Sequence, residues 1–512
     1  MVLVHARRYR IAVAVVVFVL LIFVFSSYQG AAIRDKTSWP QWPAHESQSP
    51  QPPGAGTPEA GKPGDVTPGD VTPGDATPGA TAPGDVSSQA PVSTPTLPLD
   101  YQKEDRNSDW CEDRYGMTYL EKARDSAVSY CTPESTSDLN CFWSATADGR
   151  TDAMCYGSGA VYDAEHKKFK MDCQIRDLTA QEVEKGVHRV PNELTRYWYD
   201  TGPGNVMQRF VTTHGGDGKT KTKRTTILLK REGAGNVWHC LMEIMSLTYT
   251  MDVLQITMDP ETGEPFVTAK DGESAQVVIL DDQPDGPYFD LWRLFAKMPI
   301  RRLDELKADE PPTNFVLPFA GGSNTLWQGD WKPHDCRDSP LVKTFARRVL
   351  AHFDVPRQDH TDEVIVTFVK RTGTRSLHNE TELLEAARAV IPNAKINEVD
   401  FAAMTFKEQL ETVQKTDLLA GVHGAGLTHT MFLPRGSATL EILPDDFFHK
   451  GFRNLAQVLG NGYFSTHGKV PGGSSSDWQN SPVEIDESKF IEALRDAVRS
   501  LRNSGSRSED AV

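Results

Sequence analysis

The sequence predicts an α/β protein carried behind a membrane anchor and a disordered stem, and three observations support that reading. Between residues 363 and 459, short apolar runs alternate with helix-forming runs. An uncharged stretch from Ile11 to Ile33 is apolar without interruption through Phe25. From Trp39 to about Asp100 the chain is dominated by Pro, Gly, Thr, Ser and Asp.

Taken in order, residues 1–10 form a short tail in which Arg7, Arg8 and Arg10 precede the apolar run. Residues 11–33 are long enough for one membrane span, and the basic flank predicts a cytoplasmic N-terminus and a luminal remainder. A cleaved signal peptide is the alternative. Residues 34–108 form the stem, with a five-residue repeat at Pro63-Gly64-Asp65, Pro68-Gly69-Asp70 and Pro73-Gly74-Asp75. Such a composition cannot bury a core and is expected to be disordered or extended, holding a folded domain off a membrane.

Five of the seven cysteines, Cys111, Cys131, Cys141, Cys155 and Cys173, fall just after the stem, with Cys240 and Cys336 further on. No C-x-x-C pair is present, so disulfides are expected rather than zinc, with at least one thiol left over and the connectivity open. The sequon Asn379-Glu380-Thr381 marks Asn379 for glycosylation in the same compartment. A formal net charge of −16 argues against nucleic acid or an anionic membrane surface as partner.

The folded region divides into 109–335, with a Cys-rich start, and 336–475. In the second part, strands are expected at Glu363 to Val369, Ala394 to Val399, Leu418 to Val422 and Ala438 to Leu443. Helices are expected between them at Glu380 to Val390, Phe406 to Lys415 and Phe447 to Leu459. This spacing implies right-handed βαβ units and a parallel sheet. The first part offers strands at Thr225 to Lys230, Gln276 to Leu280 and Asn314 to Phe319, with helices at Val237 to Leu254 and Tyr288 to Lys297. Two Rossmann-like domains facing a cleft follow, with a closing helix in 476–503, near Ser488 to Leu501, packing back across the cleft. Residues 504–512 are expected to be a disordered tail.

The stretch Leu418 to Val422, then His423-Gly424-Ala425-Gly426-Leu427-Thr428-His429, reads as a buried strand ending in an anion cradle. Amides of Gly424, Ala425 and Gly426 at a helix start would favour phosphate. His423 would sit at the carboxyl end of the strand, where open α/β sheets bind ligands. Met431-Phe432-Leu433-Pro434-Arg435-Gly436 and a strand carrying Glu441 follow. Over about thirty residues, 416–444, this resembles the C-terminal signature of glycosyltransferase family 61. Val399-Asp400-Phe401 and Phe406-Lys407-Glu408-Gln409-Leu410 make it most similar to the branch of EGF-domain-specific O-linked N-acetylglucosaminyltransferases. The resemblance implies the GT-B architecture, an inverting transfer from a UDP-sugar, with UDP-N-acetylglucosamine favoured over UDP-xylose, and a glycoprotein or glycan acceptor.

Such a transfer needs positive charge or oriented donors for the leaving diphosphate and a base for the acceptor hydroxyl. Arg371 and Arg375 follow the strand ending at Val369 and resemble the family's R-x-x-x-R, so donor binding is carried onto them together with His423, Gly424, Ala425, Gly426 and Glu441. His239 and Glu243 share a helix face at i, i+4. Asn236 to Glu243 resembles a family stretch that lies at the cleft, which makes Asn236 cleft-lining and His239 or Glu243 the expected base, with His423 as a further contender. No D-x-D occurs, so no metal cofactor is expected. Asp281, Asp282 and Asp285 are the acids that Mn²⁺ would use, although an acidic turn explains them without one. The reading of a different class is a non-catalytic glycan-binding protein on the same scaffold. The C-terminus, Ser508-Glu509-Asp510-Ala511-Val512, lacks a K-D-E-L type signal, which directs the expectation to the Golgi membrane, with the endoplasmic reticulum lumen as alternative.

Overall fold

The computed structural model describes residues 100–102, 107–147, 150–216, 222–358, 363–471 and 479–503. The expected tail and membrane span, nearly all of the stem, and the tail 504–512 lie outside the described residues. Among the described residues no helix is long and apolar enough to cross a membrane.

The first half is built on a mixed sheet. Its strands are β1 (Val128–Ser129), β2 (Leu139–Ala147), β3 (Arg150–Asp163), β4 (Lys168–Lys170), β5 (Val211–Thr212), β6 (Thr225–Leu229), β7 (Ala275–Ile279), β8 (Arg301–Arg302) and β9 (Thr313–Leu317). The order along the sheet is β1-β2-β3-β9-β6-β7-β8. Strands β9, β6, β7 and β8 run parallel, and they contain the three strands expected from the sequence. The β2–β3 hairpin joins β9 antiparallel, so the parallel, Rossmann-like strands of this half are extended by an antiparallel hairpin that the sequence reading did not place. The hairpin lacks a clean two-residue alternation because β3 is buried over most of its length, and the Cys141–Cys155 disulfide ties it across strands. The helix expected over Tyr288 to Lys297 is only a short 3₁₀ turn, Phe289–Arg293.

The second half is a five-stranded sheet of β10 (Val364–Val369), β11 (Ala394–Val399), β12 (Leu418–Val422), β13 (Ala438–Pro444) and β14 (Gly462–Gly468), in the order β11-β10-β12-β13-β14. All neighbours are parallel. Burial on both faces explains why β12 and β13 read as unbroken apolar runs. The chain leaves β10 for β11 on one side and returns for β12 on the other, which makes the carboxyl edge between β10 and β12 the switch point of the sheet.

The helices that position the site are α1 (Asp109–Tyr115), α2 (Thr118–Asp125), α3 (Val237–Ile256), α4 (Pro340–His352), α5 (Glu380–Val390), α6 (Phe406–Val413), α7 (Gly451–Val458) and α8 (Glu487–Asn503). Every residue of α3 except His239 and Gln255 is buried, as expected of a helix that is apolar all round. Trp238, Leu241 and Met245 of α3 share one core with Leu427, Met431 and Phe432 and with Phe452 of α7. The two sheets are thus joined through α3 at this depth.

The closing helix α8 does not cross between the halves. Its stripe of Phe490, Leu494, Ala497 and Leu501 packs with Val364, Val366 and Leu384 on the outer face of the second sheet. That face would otherwise leave a row of branched apolar side chains in water. The stem ends earlier than its composition suggests. Tyr101 donates to the buried Asp252 carboxylate at 2.5 Å, and Asp100 pairs with Arg348 at 2.7 Å. Three disulfides, Cys111–Cys336, Cys131–Cys173 and Cys141–Cys155, leave Cys240 as a buried thiol.

Candidate functional site

The switch point carries the residues singled out by their motif. Arg371 follows β10, and its guanidinium lies so close to the β12 turn that a Cβ built on Gly424 would collide with Arg371 Nη1. Likewise a Cβ on Gly426 would press on Val369 at the end of β10. The glycines are therefore set by close approach, which brings a cation and the backbone of residues 424–426 to one spot. After Gly424 the chain continues as a 3₁₀ segment, Ala425–Phe432, rather than an α-helix, and Leu427 N–H bonds back to Gly424 O at 2.9 Å.

Arg371 Nε donates to Thr374 O at 3.0 Å, which folds the loop over itself. That loop holds Arg375 in the left-handed region at φ 55°. Burial, with the Arg371 charge beside it, brings the Arg375 guanidinium down to about 10, still cationic at neutral pH. Two partly buried guanidinium groups at one sheet edge repel each other unless an anion lies between them.

His423 is buried at the end of β12. Its Nδ1 lies 2.5 Å from Glu441 Oε1, and Tyr463 O–H donates to Glu441 Oε2 at 2.6 Å. Burial lowers the imidazole to about 4, so it is neutral, with Nδ1–H donating to the carboxylate and Nε2 carrying the lone pair. The His423 ring packs 4.7 Å from Phe447 and 5.0 Å from His449. His449 in turn bonds Asp330 of the first half at 3.1 Å, which ties the two halves beside the site.

A second histidine and carboxylate pair stands at the start of α3. Asn236 is the N-cap, accepting from Trp238 N–H at 3.0 Å, so it fixes the first turn of the helix. His239 Nδ1 lies 3.1 Å from Glu232 Oε2, and the imidazole packs edge-on 4.5 Å from Trp327. The orienting carboxylate is therefore Glu232, on the loop after β6, and not Glu243 as the i, i+4 spacing suggested. Glu243 points inward and accepts from Glu232 N–H at 2.9 Å. Burial and the neighbouring Glu232 charge hold its carboxyl well above the usual carboxylate range, so it is a neutral acid. Trp238 of α3 meets Phe452 at 5.7 Å, and Phe452 meets His423 at 5.5 Å, so one aromatic bridge separates the two pairs.

Two of the three acids considered for a metal are occupied by arginine. Asp281 forms a buried pair with Arg231 at 2.8 Å, and Asp285 pairs with Arg302 at 2.6 Å. Their oxygens neutralise guanidinium groups and are poorly suited to a divalent ion. Asn379 is exposed at the N-cap of α5.

Glu232, Asp330, His449 and Tyr463 were not singled out from the sequence. Glu232 lies only seven residues before His239, and its acid was the available signal; the other three are brought in by tertiary contacts that no local pattern announces.

Fold and site together define a class: an α/β protein with a cationic, glycine-lined turn at the carboxyl edge of a parallel sheet. Residues 238–440 match the family model described as Glycosyltransferase 61. The chain is 28% identical over 229 residues to the EGF domain-specific O-linked N-acetylglucosamine transferase of Drosophila melanogaster, covering 42% of this chain and 40% of that protein. It is 32% identical over 336 residues to the mouse (Mus musculus) protein of the same name, covering 61% and 59%. A third relative is Protein O-linked-mannose beta-1,4-N-acetylglucosaminyltransferase 2 of Danio rerio, 27% identical over 230 residues, covering 43% and 37%. The chain thus spans less than two thirds of the length of each. Residues 238–440 carry a glycosyltransferase family 61 domain.

Proposed function

We propose that this chain is an inverting glycosyltransferase that moves a sugar from a UDP-sugar to a hydroxyl of a glycoprotein or glycan. UDP-N-acetylglucosamine is the favoured donor, in keeping with the names of its relatives. The observation that carries the proposal is the convergence of Arg371, Arg375 and the Gly424 turn on one sheet edge. A diphosphate there would relieve the repulsion between the two guanidinium groups and accept from their N–H groups. As the glycosidic bond to phosphate breaks, negative charge grows on the leaving diphosphate, and preformed cations stabilise it without reorganisation. The two sheets support the GT-B arrangement, with the donor on the second half and the acceptor facing it.

His239 is the proposed base. Glu232 on Nδ1 selects the tautomer whose Nε2 accepts a proton, and the carboxylate then steadies the imidazolium. His423 has the same wiring through Glu441 but lies deeper and beside the arginines, where a neutral imidazole serves better as a donor-site ligand. The transfer is proposed to need no metal, since the arginines supply the charge.

Three disulfides support folding in an oxidising compartment. A Golgi membrane location through the N-terminal apolar run, with the folded body in the lumen, is part of the proposal. Incubating the purified chain with UDP-N-acetylglucosamine and UDP-xylose and measuring UDP release tests it. Release from neither sugar would favour a glycan-binding protein on the same scaffold.

A further inference from the structure

Away from both histidine pairs, α1 and the segment before α4 line an open cleft of about 570 Å³ bounded by Asn107, Trp110, His334, Asp335 and Arg337, among others. Its size is within the range of small-ligand sites. The rim is fixed covalently by the Cys111–Cys336 disulfide. Asn107 adds a two-way clamp, donating to Asp338 O at 2.8 Å and accepting from Arg337 N–H at 3.0 Å.

Two observations point to a ligand. Trp110 is 45% exposed although it is a large aromatic on a short, disulfide-held helix. Arg114, which does not line the cleft, stacks over its ring at 4.2 Å, and the His334 ring lies tilted 5.9 Å from it, so a half-exposed indole and the buried imidazole line the cleft together. The second is His334, only 9% exposed. Its Nδ1 accepts from Cys336 N–H at 3.4 Å, which places the proton of the neutral ring on Nε2. That buried Nε2–H has no hydrogen-bond partner among the described residues. A buried donor without an acceptor is costly, and a ligand oxygen would relieve it.

The wall chemistry selects the ligand class. Asp335 disfavours an anion, and Arg337, with Arg114 behind the indole, disfavours a cation. An exposed indole face beside mixed donors and acceptors fits a pyranose, whose C–H face is apolar and whose hydroxyl rim both donates and accepts. We propose that this cleft is a second binding site that takes a neutral saccharide. It extends the functional reading above, because it is separate from the donor edge. It is connected to that edge through α7: Arg453 donates to His334 O at 3.1 Å, while its neighbour Phe452 packs on His423.

The test is calorimetric titration of the full chain with N,N′-diacetylchitobiose, without donor. Saturable binding to the wild-type chain is expected, weakened about tenfold or more in Trp110→Ala and partly kept in Trp110→Phe, with UDP affinity unchanged in both. No saturable binding to the wild-type chain, equal affinity in Trp110→Ala, or displacement of chitobiose by inorganic phosphate would each overturn the proposal. Because no sugar is transferred in this experiment, a failure of the transferase reading leaves its outcome unaffected.

Discussion

The guanidinium of Arg371 occupies the space that a side chain on Gly424 would need. The obstacle is the far end of a flexible side chain, so Gly424→Ala should fold normally and push the guanidinium off the sheet edge. UDP affinity should fall about tenfold in this variant. Arg371→Ala removes the charge outright and should cost roughly 2 to 4 kcal/mol of transition-state stabilisation, about a hundredfold or more in kcat/KM. Titration with UDP and initial-rate kinetics check both, and wild-type UDP affinity in Gly424→Ala would mean that the anion binds elsewhere.

Buried histidines set an acid limit on stability. Burial lowers His423 and His334 to about 4, against about 6.5 in the unfolded chain. Between these values the unfolded chain binds protons that the folded chain refuses. The stabilising contribution is complete above pH 6.5 and is lost as pH falls through about 4. Thermal unfolding should show Tm dropping by several degrees between pH 7 and pH 4.5, with a shallower slope in His334→Asn. A Tm that rises on acidification across this window would contradict the assignment of neutral rings.

Metal removal gives a third check. With Asp281 closed by Arg231 and Asp285 by Arg302, only Asp282 of the three acids after β7 is not paired with arginine among the described ion pairs. EDTA should leave most of the activity, and added Mn²⁺ should raise it by less than about twofold. Loss in EDTA that Mn²⁺ restores and that Asp282→Ala abolishes would overturn the metal-free scheme.

The second sheet was legible because its strands are buried on both faces and its helices keep a 3.6-residue period. Expected limits for β11 and β12 coincide with the observed Ala394–Val399 and Leu418–Val422. The β2–β3 hairpin was not legible, since Leu139 to Ala147 mixes apolar, polar and cysteine residues and its pairing is set by tertiary partners. The same division holds in the site. Arg371, Arg375 and His423 could be placed at one sheet edge from the sequence because each follows a readable strand, and their proximity depends only on parallel register. Glu232 and Asp330 escaped because a carboxylate on a loop has no period. The i, i+4 argument failed for Glu243 because α3 is buried all round, so sharing a face with His239 there means facing the core rather than a cleft.

That geometry separates three carboxyl and imidazole variants. His239→Ala should abolish transfer while UDP still binds, because the donor edge belongs to the other sheet. Glu232→Gln keeps the shape but removes the charge that holds the His239 tautomer, and kcat should fall about a hundredfold with little change in KM. Glu243 is already a neutral acid by burial, so Glu243→Gln replaces it with a neutral group of the same size and should leave kcat within about threefold of wild type. A stopped assay for all three, alongside Tm as a control for folding, settles the order. If Glu243→Gln is dead and properly folded while Glu232→Gln is active, the base is Glu243 and the imidazole only lines the wall. If both glutamine variants and His239→Ala transfer normally, the start of α3 has no part in the chemistry, and the proton must go to His423 at the other His–Glu pair.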